Sequence, residues 1–137
     1  VDGGVTVEDT VALAQALKAR GIDLLDCSSG GMSGPATLSS AKITPGYQVP
    51  YAAAVRRQAD LPTMAVGAIL EPRQAEDILA AGDADLIAIG RQLIAEPHWL
   101  YRAALALGQP DPAAVLSKYY GFYLARRANV LDLAKRP

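Results

Sequence analysis

Four apolar residues in a row, Leu86-Ile87-Ala88-Ile89, stand between Asp85 and the pair Gly90-Arg91. A run this short, with β-branched residues at Ile87 and Ile89, reads as a strand buried on both faces. Such strands belong to parallel sheets covered by helices. The rest of the chain agrees. Helix-period and short apolar segments follow one another as helix, strand, helix, strand, helix, strand, helix and tail. Strict alternation of this kind argues an α/β fold with a parallel sheet and right-handed crossovers. A repeated turn favours a (β/α) barrel over an open sheet. Both Gly21-Ile22-Asp23-Leu24-Leu25 and Gly82-Asp83-Ala84-Asp85-Leu86-Ile87 set a helix-ending glycine shortly before an aspartate and a strand.

Thr6 with Asp9 three residues on is a capping-box-like helix start. Val7, Val11, Ala14 and Leu17 follow at helical spacing until Gly21 closes the helix. Asp23 to Ser29 reads as a strand that turns polar at its C-terminal end. Gly30 to Gly46 is a long polar loop holding Pro35, Ser39-Ser40 and Pro45. A loop of that length inside a compact domain is usually functional or a lid. Pro50 to Ala59 predicts a short helix with proline in its first turn, broken by Leu61-Pro62. Thr63 to Val66 is a strand ending on Gly67, and Glu71-Pro72 opens a helix over Ala75, Ile78 and Leu79 that Gly82 closes. After the opening stretch come a short helical run, Gln92 to Ala95, and a helix from Pro97 through Trp99, Leu100, Ala103, Ala104 and Leu107 to Gly108. Gln109 to Pro112 reads as a linker, and Ala113 to Arg136 as a mostly helical tail, basic towards its end.

A length of 137 residues suffices for one domain with a core, and a net charge of −1 implies no polyanionic partner such as nucleic acid. No apolar run approaches the ~20 residues of a membrane span, and the charged and apolar regions of a signal peptide are missing. Cys27 is the single cysteine, which excludes an internal disulfide and points to a reducing, cytoplasmic setting. The chain opens on Val1-Asp2-Gly3-Gly4 without a methionine, just before a helix and with no strand ahead of it. It reads as a piece of something longer.

Ligands of parallel α/β proteins bind at the C-terminal ends of the strands. Here those ends are Ser28-Ser29-Gly30, Gly67-Ala68-Ile69 and Gly90-Arg91. Glycine lets the backbone approach a ligand, a helix start offers unpaired N–H groups, and arginine supplies a forked cation. Gly90-Arg91 therefore reads as an anion site, with phosphate the expected anion. In barrels the loops after the last two strands commonly form a phosphate site. Gly67 and Gly90-Arg91 fall there if these are the last three strands. The plain alternative is a strand-to-helix turn whose arginine pairs with a surface carboxylate.

Other residues point elsewhere. Cys27, one residue inside a strand end, fits a buried, inert thiol better than a nucleophile. His98, beside Trp99 near a helix start, fits a surface or capping role. One histidine and one cysteine make neither a metal cluster nor a Ser-His-Asp triad. Asp23, Asp26 and Asp85 suit caps and structural hydrogen bonds. Tyr47-Gln48 suits packing or loop fixing ahead of ligand contact.

Four motifs recur together in order and spacing: Cys27-Ser28-Ser29-Gly30, Pro45-Gly46-Tyr47-Gln48-Val49, Ala65-Val66-Gly67 before a proline-led helix, and Ala84 to Arg91. Over roughly residues 1 to 108 the chain resembles the old yellow enzyme family, most closely its bacterial branch of NADPH dehydrogenases and xenobiotic reductases. The resemblance implies an FMN-bearing (β/α)8 TIM barrel of about 250 residues. This chain would be its C-terminal portion, about the last three strand–helix units. Residues 1–108 would belong to the barrel and 109–137 to a C-terminal helical tail. Implied with it are NADPH or NADH as reductant and a small-molecule substrate carrying an activated alkene: an enone, a nitro compound or a related xenobiotic. The family holds the flavin phosphate with the glycines ending its seventh and eighth strands and the arginine after the eighth. Those positions match Gly67, Gly90 and Arg91, and Ser29 and Gly30 join them as cofactor-binding residues at the earlier strand end.

The family's substrate-binding pair, its proton-donating tyrosine and its isoalloxazine contacts lie upstream of the matched part. No catalytic residue is therefore assigned, and the chain alone is expected to be inactive. The branch also carries an arginine shortly after a Gln-Tyr near the C-terminus that reaches a neighbouring subunit. Here that region reads Tyr119-Tyr120-Gly121-Phe122, with Arg126 and Arg127 further on. The complete protein is expected to be a homo-oligomer, with neither nucleic acid nor membrane as partner. Two rival readings stay open. One is a phosphate-binding barrel isomerase or aldolase using the same site for a sugar phosphate, the other a non-catalytic half-barrel that assembles with another chain.

Overall fold

The structure, a computed structural model, describes residues 3–30 and 43–131. The Pro35 and Ser39-Ser40 features of the long loop lie outside them, as do Val1-Asp2 and residues 132–137. The chain divides into two compact units, residues 1–92 and 93–137.

The first unit opens with α1 (Val7–Lys18), and its start is the box expected from the sequence. Thr6 Oγ1 accepts from the Asp9 N–H at 3.1 Å, and Asp9 Oδ2 accepts from the Thr6 N–H at 3.0 Å. Val11 and Ala14 form the buried stripe of the helix. Gly21, at φ +87°, turns the chain out of it, where the Ile22 N–H reaches back to the Leu17 carbonyl. A residue with a Cβ rarely adopts that φ, which is why glycine ends the helix there.

Next come β1 (Leu25–Cys27), α2 (Val49–Ala59), β2 (Thr63–Ala65), α3 (Pro72–Ala80) and β3 (Leu86–Ile87). The strands form one parallel sheet in the order β1-β2-β3, with Leu25 opposite Thr63, Met64 opposite Leu86 and Ala65 opposite Ile87. This is the α/β arrangement that the alternation predicts. Helix α2 is the centre of the core, packing on α1 and on the strands β1 and β2. Its Ala52, Ala53, Val55 and Ala59 are buried, with Leu61, Ala65 and Ile69 beside them. Small alanines let helix and sheet approach closely. The larger Leu61 and Val55 supply the bulk, and full burial of such a side chain is worth roughly 1.5–3 kcal/mol.

Strand β3 departs from expectation. The run Leu86-Ile87-Ala88-Ile89 reads as buried on both faces, yet Leu86 is 51% exposed and the other three are half-buried. Among the described residues β3 pairs on one side only, with β2, and much of the Leu86 side chain meets solvent. The pairing itself extends past the two-residue strand. The Asp85 N–H donates to the Thr63 carbonyl at 2.9 Å and the Ala88 N–H to the Ala65 carbonyl at 2.8 Å.

The N-terminal end of the sheet is tied by charge. Arg56 of α2 grips Asp85 in bidentate fashion, at 3.0 and 3.1 Å, and donates to the Gly82 carbonyl at 3.1 Å. Asp85 Oδ2 also accepts from the Thr63 N–H at 2.9 Å. The guanidinium first, and then that N–H, hold the Asp85 carboxyl below the usual carboxylate range.

A short helix, α4 (Arg91–Ala95), follows β3. In the second unit, α5 (Trp99–Ala106) buries Trp99, Ala103 and Ala104. Arg102 pairs with Glu96 at 2.6 and 2.9 Å and lies over the Trp99 ring. The tail is not one helix. A 3-10 turn at Pro112–Val115 gives way to extended backbone at Leu116 and Ser117 before α6 (Lys118–Val130) begins. Serine favours such half-in positions over a helix interior. Gly121 seats α6 on the turn, since a Cβ there would come within 2.8 Å of the Ala113 carbonyl oxygen. Among the described residues no helix is long and apolar enough to cross a membrane.

Candidate functional site

The C-terminal ends of the three strands lie along one edge of the sheet, as parallel pairing requires. At the first end Cys27 is buried while Ser28, Ser29 and Gly30 are exposed. Burial first, and then the neighbouring Asp26 charge, push the Cys27 thiol up to about 11. A thiol so shifted stays protonated near neutral pH, as the inert reading requires. Gly30 has φ +83°, a backbone angle that suits glycine.

The second end is more tightly built. Gly67 lies at φ +116° and is followed by Ala68 at +52°, so two successive residues occupy the left-handed half of conformational space. Gly67 is buried. A Cβ at this position would lie 3.0 Å from Tyr47 Cε1 and 3.1 Å from Gln48 Nε2, and the Gly46 N–H donates to the Gly67 carbonyl at 2.8 Å. Glycine is demanded here twice over, by backbone angle and by the closeness of Tyr47 and Gln48.

At the third end Gly90 is exposed, and no described residue beyond its chain neighbours lies within 4 Å of where its Cβ would be. Arg91 begins α4, is exposed, and makes no ion pair with another described residue. The surface-carboxylate alternative therefore finds no partner for it among them.

Gln48 joins these ends. Its side chain is 4% exposed, and its Oε1 accepts from both the Ser29 N–H and the Ser29 Oγ, the latter at 3.0 Å. This is the loop-fixing role, and it takes up both donors of Ser29. Ser29, Gln48, Gly46 and Gly67 thus form one knit cluster. Gly90 and Arg91 share the sheet edge with that cluster but stand open. The sequence carried a local signal for Gln48, a Pro-Gly-Tyr-Gln run closing a long loop, but no signal for its partner 19 residues earlier.

The remaining candidates stay outside this edge's chemistry. His98 is exposed just before α5, and its side chain makes no capping hydrogen bond. Asp85 is the structural aspartate already described. Asp23 and Asp26 are exposed, with no side-chain hydrogen bond to another described residue, so neither acts as the cap its position suggests. Among the described residues no group of His, Cys, Asp and Glu is placed to hold a metal ion.

Known proteins place this edge in context. Residues 1–109 match the NADH:flavin oxidoreductase / NADH oxidase family. An NADPH dehydrogenase of Geobacillus sp. (strain WCH70) is 46% identical over 112 residues, which are 82% of this chain and 32% of that protein. Another, from Geobacillus thermodenitrificans (strain NG80-2), is 47% identical over 112 residues, with the same two shares. The NADPH dehydrogenase of Bacillus subtilis (strain 168) is 42% identical over 114 residues, 83% of this chain and 32% of its own length. The chain thus spans about a third of the length of these relatives. The family takes FMN as cofactor, with NADPH or NADH as reductant. With most of its length matched, the chain belongs to the NADH:flavin oxidoreductase / NADH oxidase family, the old yellow enzymes.

Proposed function

We propose that this chain supplies the FMN phosphate site of an NAD(P)H-dependent ene-reductase built on a (β/α)8 TIM barrel. Residues 1–108 would be about the last three strand–helix units and 109–137 a helical tail. The three-stranded parallel sheet, the single edge that gathers its glycine-bearing ends, and the match through residue 109 support this reading. The observation that carries it is the Gly90-Arg91 end, with open space beside the glycine and an exposed guanidinium next to it.

These residues fit a phosphate-bearing cofactor. Gly90 leaves room for close approach, and Arg91 can donate two parallel N–H bonds to phosphate oxygens. Gly67, the other glycine expected at the phosphate, also lets the chain after β2 lie close to Tyr47 and Gln48. Ser29 acts through the loop shape it shares with Gly30, its donors being engaged by Gln48. Bound FMN would carry hydride from NADPH or NADH to the β-carbon of an alkene conjugated to a carbonyl or nitro group. The protein's part in this stretch is to bind and orient the cofactor. No catalytic residue is assigned in this chain, which alone would be inactive: the solvent-facing surface of β3 needs further barrel strands to cover it. A cytoplasmic setting fits the single, free Cys27. A homo-oligomeric complete protein fits the exposed aromatics of α6: Tyr119, Tyr120, Phe122 and Tyr123.

The test is FMN titration by fluorescence in the complete protein. Arg91→Ala should weaken FMN roughly ten- to a hundredfold, the effect of losing a hydrogen bond to a charged group. Arg91→Lys should recover part of the loss, keeping the charge without the fork. Arg73→Ala, at an exposed position on α3, should bind like the wild type. Equal affinity in Arg91→Ala and wild type would remove the phosphate-site assignment.

A further inference from the structure

Gln48 immediately precedes α2, but its side chain does not cap that helix. Local structure thus gives no reason to bury an amide there, and burying one without partners is costly. Its partners lie on the strand ends instead. Oε1 takes both hydrogen bonds that Ser29 can donate, while Nε2 sits beside Gly67. A single planar group therefore spans the C-terminal ends of β1 and β2, which pair side by side in the sheet. The Gly46 N–H, two residues before Gln48, donates to the Gly67 carbonyl and ties the turn before α2 to the end of β2 as well.

We propose that Gln48 is a positioning residue for the flavin: it sets the backbone of Ser29-Gly30 and of Gly67 against which the cofactor seats, without touching the cofactor itself. This rests on the FMN reading above. An amide suits the task because its oxygen takes both Ser29 donors while Nε2, on the same rigid plane, packs close beside Gly67. The surrounding glycines, with φ of +83° at Gly30 and +116° at Gly67, supply backbone shapes that would otherwise have many alternatives.

The experiment measures FMN affinity and the bound-flavin absorbance spectrum in the complete protein, with thermal unfolding as the control for fold. Gln48→Leu, similar in volume, should raise the FMN dissociation constant about tenfold and shift the bound-flavin bands, having lost two hydrogen bonds at the acceptor. Gln48→Glu keeps an acceptor towards Ser29 and should restore most of the affinity and the wild-type spectrum. Ser29→Ala should cost about two- to tenfold alone, the worth of one neutral hydrogen bond, and add nothing in the Gln48→Leu background. Wild-type affinity and spectrum in Gln48→Leu would overturn the proposal. So would a Ser29→Ala effect that persists undiminished in that background, since Ser29 would then act on the flavin directly. If Gln48→Leu does not fold, Gln48→Glu and Ser29→Ala decide: an unchanged constant in Ser29→Ala, or a loss in Gln48→Glu as large as an emptied site, overturns it. A wild type that takes up no FMN would overturn the flavin reading itself.

Discussion

The two ends of the three-stranded sheet are finished with different chemistry. At the N-terminal end a charged pair closes the structure, as Arg56, Asp85, the Thr63 N–H and the Gly82 carbonyl satisfy one another. At the C-terminal end the residues are small, the backbone turns left-handed at Gly30, Gly67 and Ala68, and Arg91 stands exposed. The first end spends its charges on holding α2, β2 and β3 together. The second leaves a charge and backbone surface free, which is what a ligand needs. The division is not complete: Thr63 Oγ1 is buried with no hydrogen-bond partner among the described residues.

Substitutions at the two ends should therefore fail in different ways. The largest effect on stability is expected at Gly67. Its φ of +116° is strained for any residue with a Cβ, and Tyr47 and Gln48 crowd the space. Gly67→Ala should cost about 1–3 kcal/mol in denaturant unfolding, and it should also weaken FMN binding. Unchanged stability would mean that the turn is looser than its geometry states, and the contrast between the ends would weaken.

A smaller and pH-dependent effect is expected at Asp85. Asp85→Asn should cost about 1 kcal/mol near neutral pH, the pair being half open to solvent and partly screened. Because the folded carboxyl titrates below its unfolded value of about 3.9, the stabilisation is fully present above that value. It is lost as pH falls through the folded pKa. Unfolding curves of wild type and Asp85→Asn should therefore run apart at pH 7 and converge on acidification below about pH 4. FMN affinity at neutral pH should move far less than in Gly67→Ala. A loss of FMN as large as that of Arg91→Ala would blur the distinction between the two ends.

The two ends also differ in how far the sequence revealed them. The helices were legible because their signals are local: Thr6 and Asp9 sit three residues apart, and Val11 and Ala14 mark the buried stripe of α1. The glycines at strand ends were legible for the same reason. The exposure of Leu86 is not legible in the sequence, because an apolar run records that a strand can be covered, not what covers it. The partners of Arg56 and Gln48 were invisible, being 29 and 19 residues away in the chain and joined only by the register of the sheet. The tail's composition reads as mostly helical, which α6 agrees with. The break at Leu116-Ser117 depends on backbone angles that composition does not encode.

The central claim is that Arg91 and Gly90 hold the phosphate of FMN, and riboflavin isolates that group because it is FMN without its phosphate. The decisive measurement compares FMN and riboflavin affinities in wild type and Arg91→Ala of the complete protein. The account predicts that wild type prefers FMN by at least about tenfold and that Arg91→Ala weakens FMN while leaving riboflavin nearly unchanged, so that most of the preference disappears. An equal loss of both ligands, or a preference for FMN that survives in Arg91→Ala, would contradict it.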